Sequence, residues 1–177
     1  MGKKKLKKKQ RQDISELSKN LLKEIEYFKQ ELDILDETLH FTGKRLVTEE
    51  YKKILDYIEE RPSELYASLV IKIISTIEQN FKEAHKVIFY EEYGSNYSII
   101  MSIIGKIDRH LDTEMDYKSE LGNYINDRNK LVHEAFSINV INQINNFSDA
   151  TSYIKGLINF IECSICSYYQ SIKKSKK

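Results

Sequence analysis

The stretch ISELSKNLLKEIEYFKQELDILDETL, residues 14–39, decides the fold. Ile14, Leu17, Leu21, Ile25, Phe28, Leu32, Leu35 and Leu39 recur at steps of three and four. At 3.6 residues per turn this spacing lays one apolar stripe along a single helix face for about seven turns. Asp13-Ile14-Ser15-Glu16 has the form of a capping box, with Asp13 as N-cap and Glu16 reaching back to it. The stripe stops at His40 and Gly43, which favours a long bundle helix over a sustained coiled coil.

The same period continues downstream. A second helix is expected over 48–60, through Tyr51, Ile54, Leu55 and Ile58, with Pro62 breaking or restarting it. A third carries Leu65, Leu69, Ile73, Ile77, Phe81, Ala84 and Ile88, and Val70, Ile71 and Ile74 widen its apolar face, as expected of a central helix. A turn is expected at 93–96, a fourth helix over 97–111 and a fifth over 113–135. Ser148 should cap a last helix through Tyr153, Leu157, Ile161, Ile165 and Tyr168 or Tyr169. No strand alternation, repeat or linker interrupts this pattern. The expected architecture is an all-α, up-and-down bundle of five to seven helices.

The chain has 177 residues, 41% hydrophobic and 31% charged, with one proline, six glycines and no tryptophan. That suits one soluble domain and excludes collagen-like and proline-rich chains. No apolar run is long enough to span a bilayer, so no membrane partner is expected. The opening MGKKKLKKKQRQ has no apolar segment behind it, and Leu6 replaces the Ser or Thr of a myristoylation signal. A cytoplasmic location follows as the expectation.

Charge is uneven. Lys3, Lys4, Lys5, Lys7, Lys8, Lys9 and Arg11 precede the first acid, Asp13, and Lys173, Lys174, Lys176 and Lys177 close the chain. Eleven of the 28 basic residues thus sit at the ends, leaving 17 against 27 acids between. The expected organisation is a disordered basic arm over 1–12, a single helical domain over 13–172 and a basic tail over 173–177. These basic blocks read either as solvated solubility tails or as elements that bind nucleic acid or an anionic surface.

Few residue patterns carry chemistry. Cys163 and Cys166 form a CxxC on a helix without a second pair, so two ordinary core thiols are expected and no metal site. No phosphate loop, zinc-protease or nucleophile-elbow motif occurs, and no cofactor is expected. His40, His85 and the pair Arg109-His110 read as structural. Arg128-Asn129-Lys130-Leu131-Val132-His133 is different. Arginine and histidine are scarce here, five and four residues, and an Arg-x4-His spacing is expected only about 0.1 times by chance. Asn129 and His133 stand at i and i+4 on one helix face, and the long Arg128 side chain can curl toward them. A guanidinium clamps phosphate and an imidazole moves protons near neutral pH, which is what RNA cleavage without a metal requires. The plainer reading pairs Arg128 with an acid such as Asp127 or Glu120 and leaves His133 to cap the helix end.

RNKLVH, from Arg128 to His133, resembles the R-x4-6-H signature of the HEPN superfamily, including the polar residue after arginine. The resemblance covers six residues in motif and about 48–172 in architecture. It implies a four- or five-helix bundle and a metal-independent endoribonuclease, as found in toxin–antitoxin pairs and phage defence. Arg128 would hold the phosphate, His133 would serve as general acid or base, and Asn129 would orient one of them. Lys130 would add to RNA binding. The resemblance also implies a homodimer with two motifs facing one cleft, and an antitoxin or defence-system partner. Toxins of this family that pair with a nucleotidyltransferase often carry tyrosine two residues after the histidine; Ala135 stands there, which argues against inhibition by tyrosine modification. The alternatives are a non-catalytic nucleotide- or RNA-binding module, or a helical module whose Leu21, Phe28 and Leu35 pair with a partner helix.

Overall fold

The computed structural model describes residues 5–40, 62–91, 99–135, 137–141 and 144–175. The helix expected over 48–60 and the turn at 93–96 lie outside the described residues, as do Lys3, Lys4, Lys176 and Lys177. The described residues are helical, without a strand: α1 Lys8–His40, α2 Pro62–Phe89, α3 Ile99–Leu111, α4 Lys118–Lys130, α5 Phe147–Phe160 and α6 Cys166–Lys174. A π-helical turn, Leu131–Ala135, extends α4, and another, Ile161–Ile165, joins α5 to α6 as one continuous rod. The chain is therefore all-α. Among the described residues no helix is long and apolar enough to cross a membrane.

Side-chain bonds fix how the rods run. Gln10 meets Val87 and Ile88, Leu17 meets Asn80, Glu31 meets Lys72 and Asp36 meets Tyr66, so α1 and α2 are antiparallel. Lys173 reaches Ser15, Glu162 reaches Lys29 and Lys155 reaches Asp36, which sets the α5–α6 rod antiparallel to α1. That rod runs parallel to α2, with Thr151 beside Tyr66 and Tyr169 beside Asn80. The apolar stripe of α1 closes this three-rod core: Ile14, Leu21, Ile25, Phe28, Leu32 and Leu35 are buried. Ile73, Ile74 and Ile77 of the central α2 are fully enclosed, each contributing about 1.5–3 kcal/mol of burial.

The ends of the elements depart from the expected ones for local reasons. α1 starts at Lys8, ahead of the Asp13 capping box, so the arm expected to be disordered through residue 12 is helical from Lys8 onward. Leu6 and Gln10 are both buried, and the Gln10 amide donates to the carbonyls of Val87 at 2.9 Å and Ile88 at 3.1 Å. These are among the last carbonyls of α2, which have no partner inside their own helix. The extra turns of α1 thus cap α2. Likewise α6 runs through Lys174, past the expected tail boundary at 173. The helix expected from residue 113 starts at Lys118, because Asp112 and Tyr117 adopt left-handed backbone with φ of 56° and 57°. α5 is capped by Asn146 rather than Ser148: its side chain accepts from the Asp149 N–H at 2.9 Å, while Asp149 accepts from the Asn145 N–H at 3.0 Å.

Candidate functional site

α4 carries the candidate motif and packs between α2 and α5. On the α5 side Tyr124 stacks edge-on against Tyr153, with ring centroids 5.5 Å apart, and the Tyr153 hydroxyl donates to Asp127 at 3.0 Å. On the α2 side the Arg128 Nη2 donates to Glu78 at 3.1 Å. Beyond Lys130 the helix widens into the π turn, in which Leu131 is completely buried and anchors the segment. Val132, His133 and Glu134 are exposed. π turns inside α-helices frequently mark functional positions, because the extra residue shifts the side-chain phase. Ser137 and Ser63 then tie the following chain to the start of α2, with their hydroxyls 2.6 Å apart.

The outer face of this segment borders an open concavity of about 710 Å³, lined by Asn123, Asn126, Asp127, Asn129, Lys130, His133, Glu134 and Ile141. Asn129, Lys130 and His133 are therefore brought together. Arg128 is not: it points away from the concavity toward α2, where Glu78 also holds Lys82 at 2.8 Å. Its Nε is shut from solvent without a hydrogen bond. The expected shared face of Arg128, Asn129 and His133 thus holds for the last two only. The acid that takes Arg128 comes from fifty residues upstream, not from Asp127 or Glu120. Asp127 instead pairs with Lys130 at 3.5 Å, beside its bond from Tyr153. Burial first, and then the Asp127 charge, push the Tyr153 phenol well above its usual range, so it remains a proton donor that fixes this carboxylate.

The cleft's charge is balanced toward acid, with Asp127 and Glu134 against Lys130. Its polar lining is otherwise amide. Such a site offers hydrogen bonds to a sugar-phosphate chain, one ammonium for a phosphate and one solvent-accessible imidazole. Glu78 and Tyr153 carried no sequence signal of these roles. The asparagines at 123 and 126 precede Asn129 and Lys130 at helical spacing, which is the one trace of this face in the sequence.

The remaining candidates separate clearly. Of the basic arm, Lys5, Lys7, Lys8 and Lys9 are exposed, whereas Arg11 is half-buried with Nε and Nη2 shut from solvent and unbonded. Cys163 is exposed and Cys166 partly buried, so neither is the core thiol expected. Burial pushes the Cys166 thiol up, which opposes thiolate chemistry. Among the described residues no three His, Cys, Asp or Glu side chains converge as a metal site requires. His85 is buried, its Nδ1 3.2 Å from the Glu91 carbonyl and its Nε2 2.9 Å from Lys106 Nζ. His110 lies against the Phe89 ring at 4.7 Å.

Comparison of the chain with protein-family models, with curated proteins and with solved structures finds no match.

Proposed function

We propose that this protein is a metal-independent endoribonuclease of HEPN type, acting as a toxin or in phage defence. The observation that carries the reading is the exposed His133 beside Asn129 and Lys130 in one open cleft of about 710 Å³, a volume in the range of small-molecule sites. His133 takes the proton of a ribose 2′-hydroxyl, or gives one to the departing 5′-oxygen. The 2′-oxygen bonds to phosphorus, the P–O5′ bond breaks, and the products are a 2′,3′-cyclic phosphate and a 5′-hydroxyl. Lys130 bears on the phosphate charge and Asn129 orients the imidazole. Arg128 points away from the cleft in the structure, so it reaches the phosphate only by leaving Glu78 and swinging its side chain round the helix, exchanging that carboxylate for the phosphate.

One imidazole serves as acid or base, not as both at once. A second copy facing the open cleft, related by a two-fold axis, supplies the other, and the proposed active form is a homodimer. Sedimentation at micromolar concentration, beside activity across a dilution series, tests it: a monomer with full specific activity contradicts the composite site. A second reading, a non-catalytic RNA- or nucleotide-binding module, draws on the engagement of Arg128 by Glu78. The partner-helix reading loses its basis, because Leu21, Phe28 and Leu35 are buried in this chain's own core. A substrate carrying a single 2′-deoxy position distinguishes the two that remain. The nuclease leaves that linkage intact and cuts its neighbours; cutting at the deoxy position contradicts 2′-hydroxyl attack.

A further inference from the structure

We infer that the start of α1 and the end of α6 form one single-stranded RNA-binding surface, remote from the His133 cleft, that supplies the affinity the cleft lacks. The fold brings these two helix ends together. Gln10 holds the start of α1 against the last turn of α2, and Lys173 Nζ lies 3.4 Å from Ser15 Oγ, which places the end of α6 beside the same turns of α1. Lys5, Lys7, Lys8, Lys9 and Lys174 are exposed at this pole and Lys173 is half-exposed. The acids nearest in the chain are Asp13 and Glu16, and Glu91 across the pole is paired with Lys106. Lysines in the first turn of α1 oppose the helix dipole, so folding alone does not favour them there.

The pole also carries an aromatic platform. Tyr90 directly follows α2 and is 69% exposed, with Lys7 Nζ 5.8 Å from its ring centroid. Its φ of 59° is a left-handed conformation that a helix end normally gives to glycine. A bulky exposed ring held there is not explained by packing. Cations interleaved with an exposed ring match single-stranded nucleic acid, whose phosphates pair with ammonium groups and whose bases stack. A lipid surface fits poorly, because the apolar face of α1 is spent inside: Leu6 and Ile14 are buried.

The distance to the cleft follows from the α2 register. Arg128 meets Glu78 and Ser137 meets Ser63, so His133 lies between those levels, while the pole sits at Val87. At 1.5 Å per residue the separation along α2 is on the order of 25 Å. Stacked nucleotides at about 3.4 Å each cover it with about seven. An RNA held at the pole therefore reaches the acidic cleft only if it is longer than this, and shorter RNA gains nothing from the pole.

Salt titration of RNA binding tests the surface, using the full chain with His133→Ala so that the probe, a fluorescent single-stranded RNA of about 20 nucleotides, stays intact. Lys8→Gln/Lys9→Gln and Lys173→Gln/Lys174→Gln should each flatten the log–log salt slope by about 1.4, at about 0.7 per phosphate contact. Tyr90→Ala should weaken binding about tenfold with the slope unchanged. Unchanged slopes in both double variants, with circular dichroism confirming the fold, overturn the inference. So does binding to phosphatidylserine vesicles that these variants lose while RNA binding persists. The cleavage arm rests on the endoribonuclease reading: with His133 present, Lys173→Gln/Lys174→Gln should slow cutting of the long RNA and leave a tetranucleotide unaffected. Slopes that respond without any cleavage sink that reading and leave the surface standing.

Discussion

Arg128 shows what one residue's surroundings do to its role. The motif placed it with His133; the fold gives it to Glu78, a partner that no local pattern announces. If it only ties α4 to α2, then Arg128→Ala and Glu78→Gln weaken the fold alike, by about 1 kcal/mol for a part-exposed pair, and the folded fraction of each cuts RNA normally. The account predicts a split. Arg128→Ala lowers cleavage more than tenfold, while Glu78→Gln, which frees the guanidinium, keeps cleavage at or above the wild-type rate. His85 makes a different residue-scale statement. Burial first, and then the Lys106 charge, lower its pKa below 6.5, against weaker opposing pulls from the Glu91 carbonyl and carboxylate. The unfolded chain then binds a proton that the folded one refuses, so stability is full above about pH 6.5 and falls as pH drops toward the folded pKa. Thermal melts from pH 7.5 to 5 should show this loss, and His85→Gln should show less of it; parallel curves for the two proteins would discount His85.

At the scale of elements, periodicity was a good guide to where helices lie and a poor one to how they end or change phase. The stripe from Ile14 to Leu35 is buried as read, with Leu17 partly so, because a single helix face needs no information beyond its own spacing. The start at Lys8 depends on Gln10 bonding carbonyls in α2, and the π turns depend on what packs against Leu131 and Ile161, both completely buried. Cys163 is a different kind of miss: it stands two residues from each of the buried Ile161 and Ile165, so the stripe itself already places it on the outer face. Asn129 and His133 survive the shift on one face; Arg128 does not join them. Gly156 offers an element-scale check. A Cβ there would stand 3.6 Å from the Tyr124 hydroxyl, an ordinary contact. Gly156→Ala should therefore stabilise the protein by up to about 1 kcal/mol through helix propensity, seen as a raised urea midpoint with unchanged m. A lowered midpoint would show that α5 cannot spare the close approach to Tyr124.

For the whole molecule, the division of charge was legible in the sequence, but its geometry was not. Basic ends around an acidic body read as two separate tails; antiparallel packing of α1 with α2 and with α5–α6 brings Lys5, Lys7, Lys8, Lys9, Lys173 and Lys174 to one pole, while the candidate cleft lies toward the other end of α2. On the proposed reading, RNA binding and chemistry therefore lie in different regions of one small bundle, and only the chemistry depends on His133. The measurement that bears on this most directly is cleavage of end-labelled RNA by the purified full chain in EDTA, beside the folded His133→Ala protein. The account predicts persistent cutting by the wild type, ending in 2′,3′-cyclic phosphate, and loss of at least a hundredfold in the variant. Equal cutting by His133→Ala, or complete loss of wild-type activity in EDTA, would contradict it.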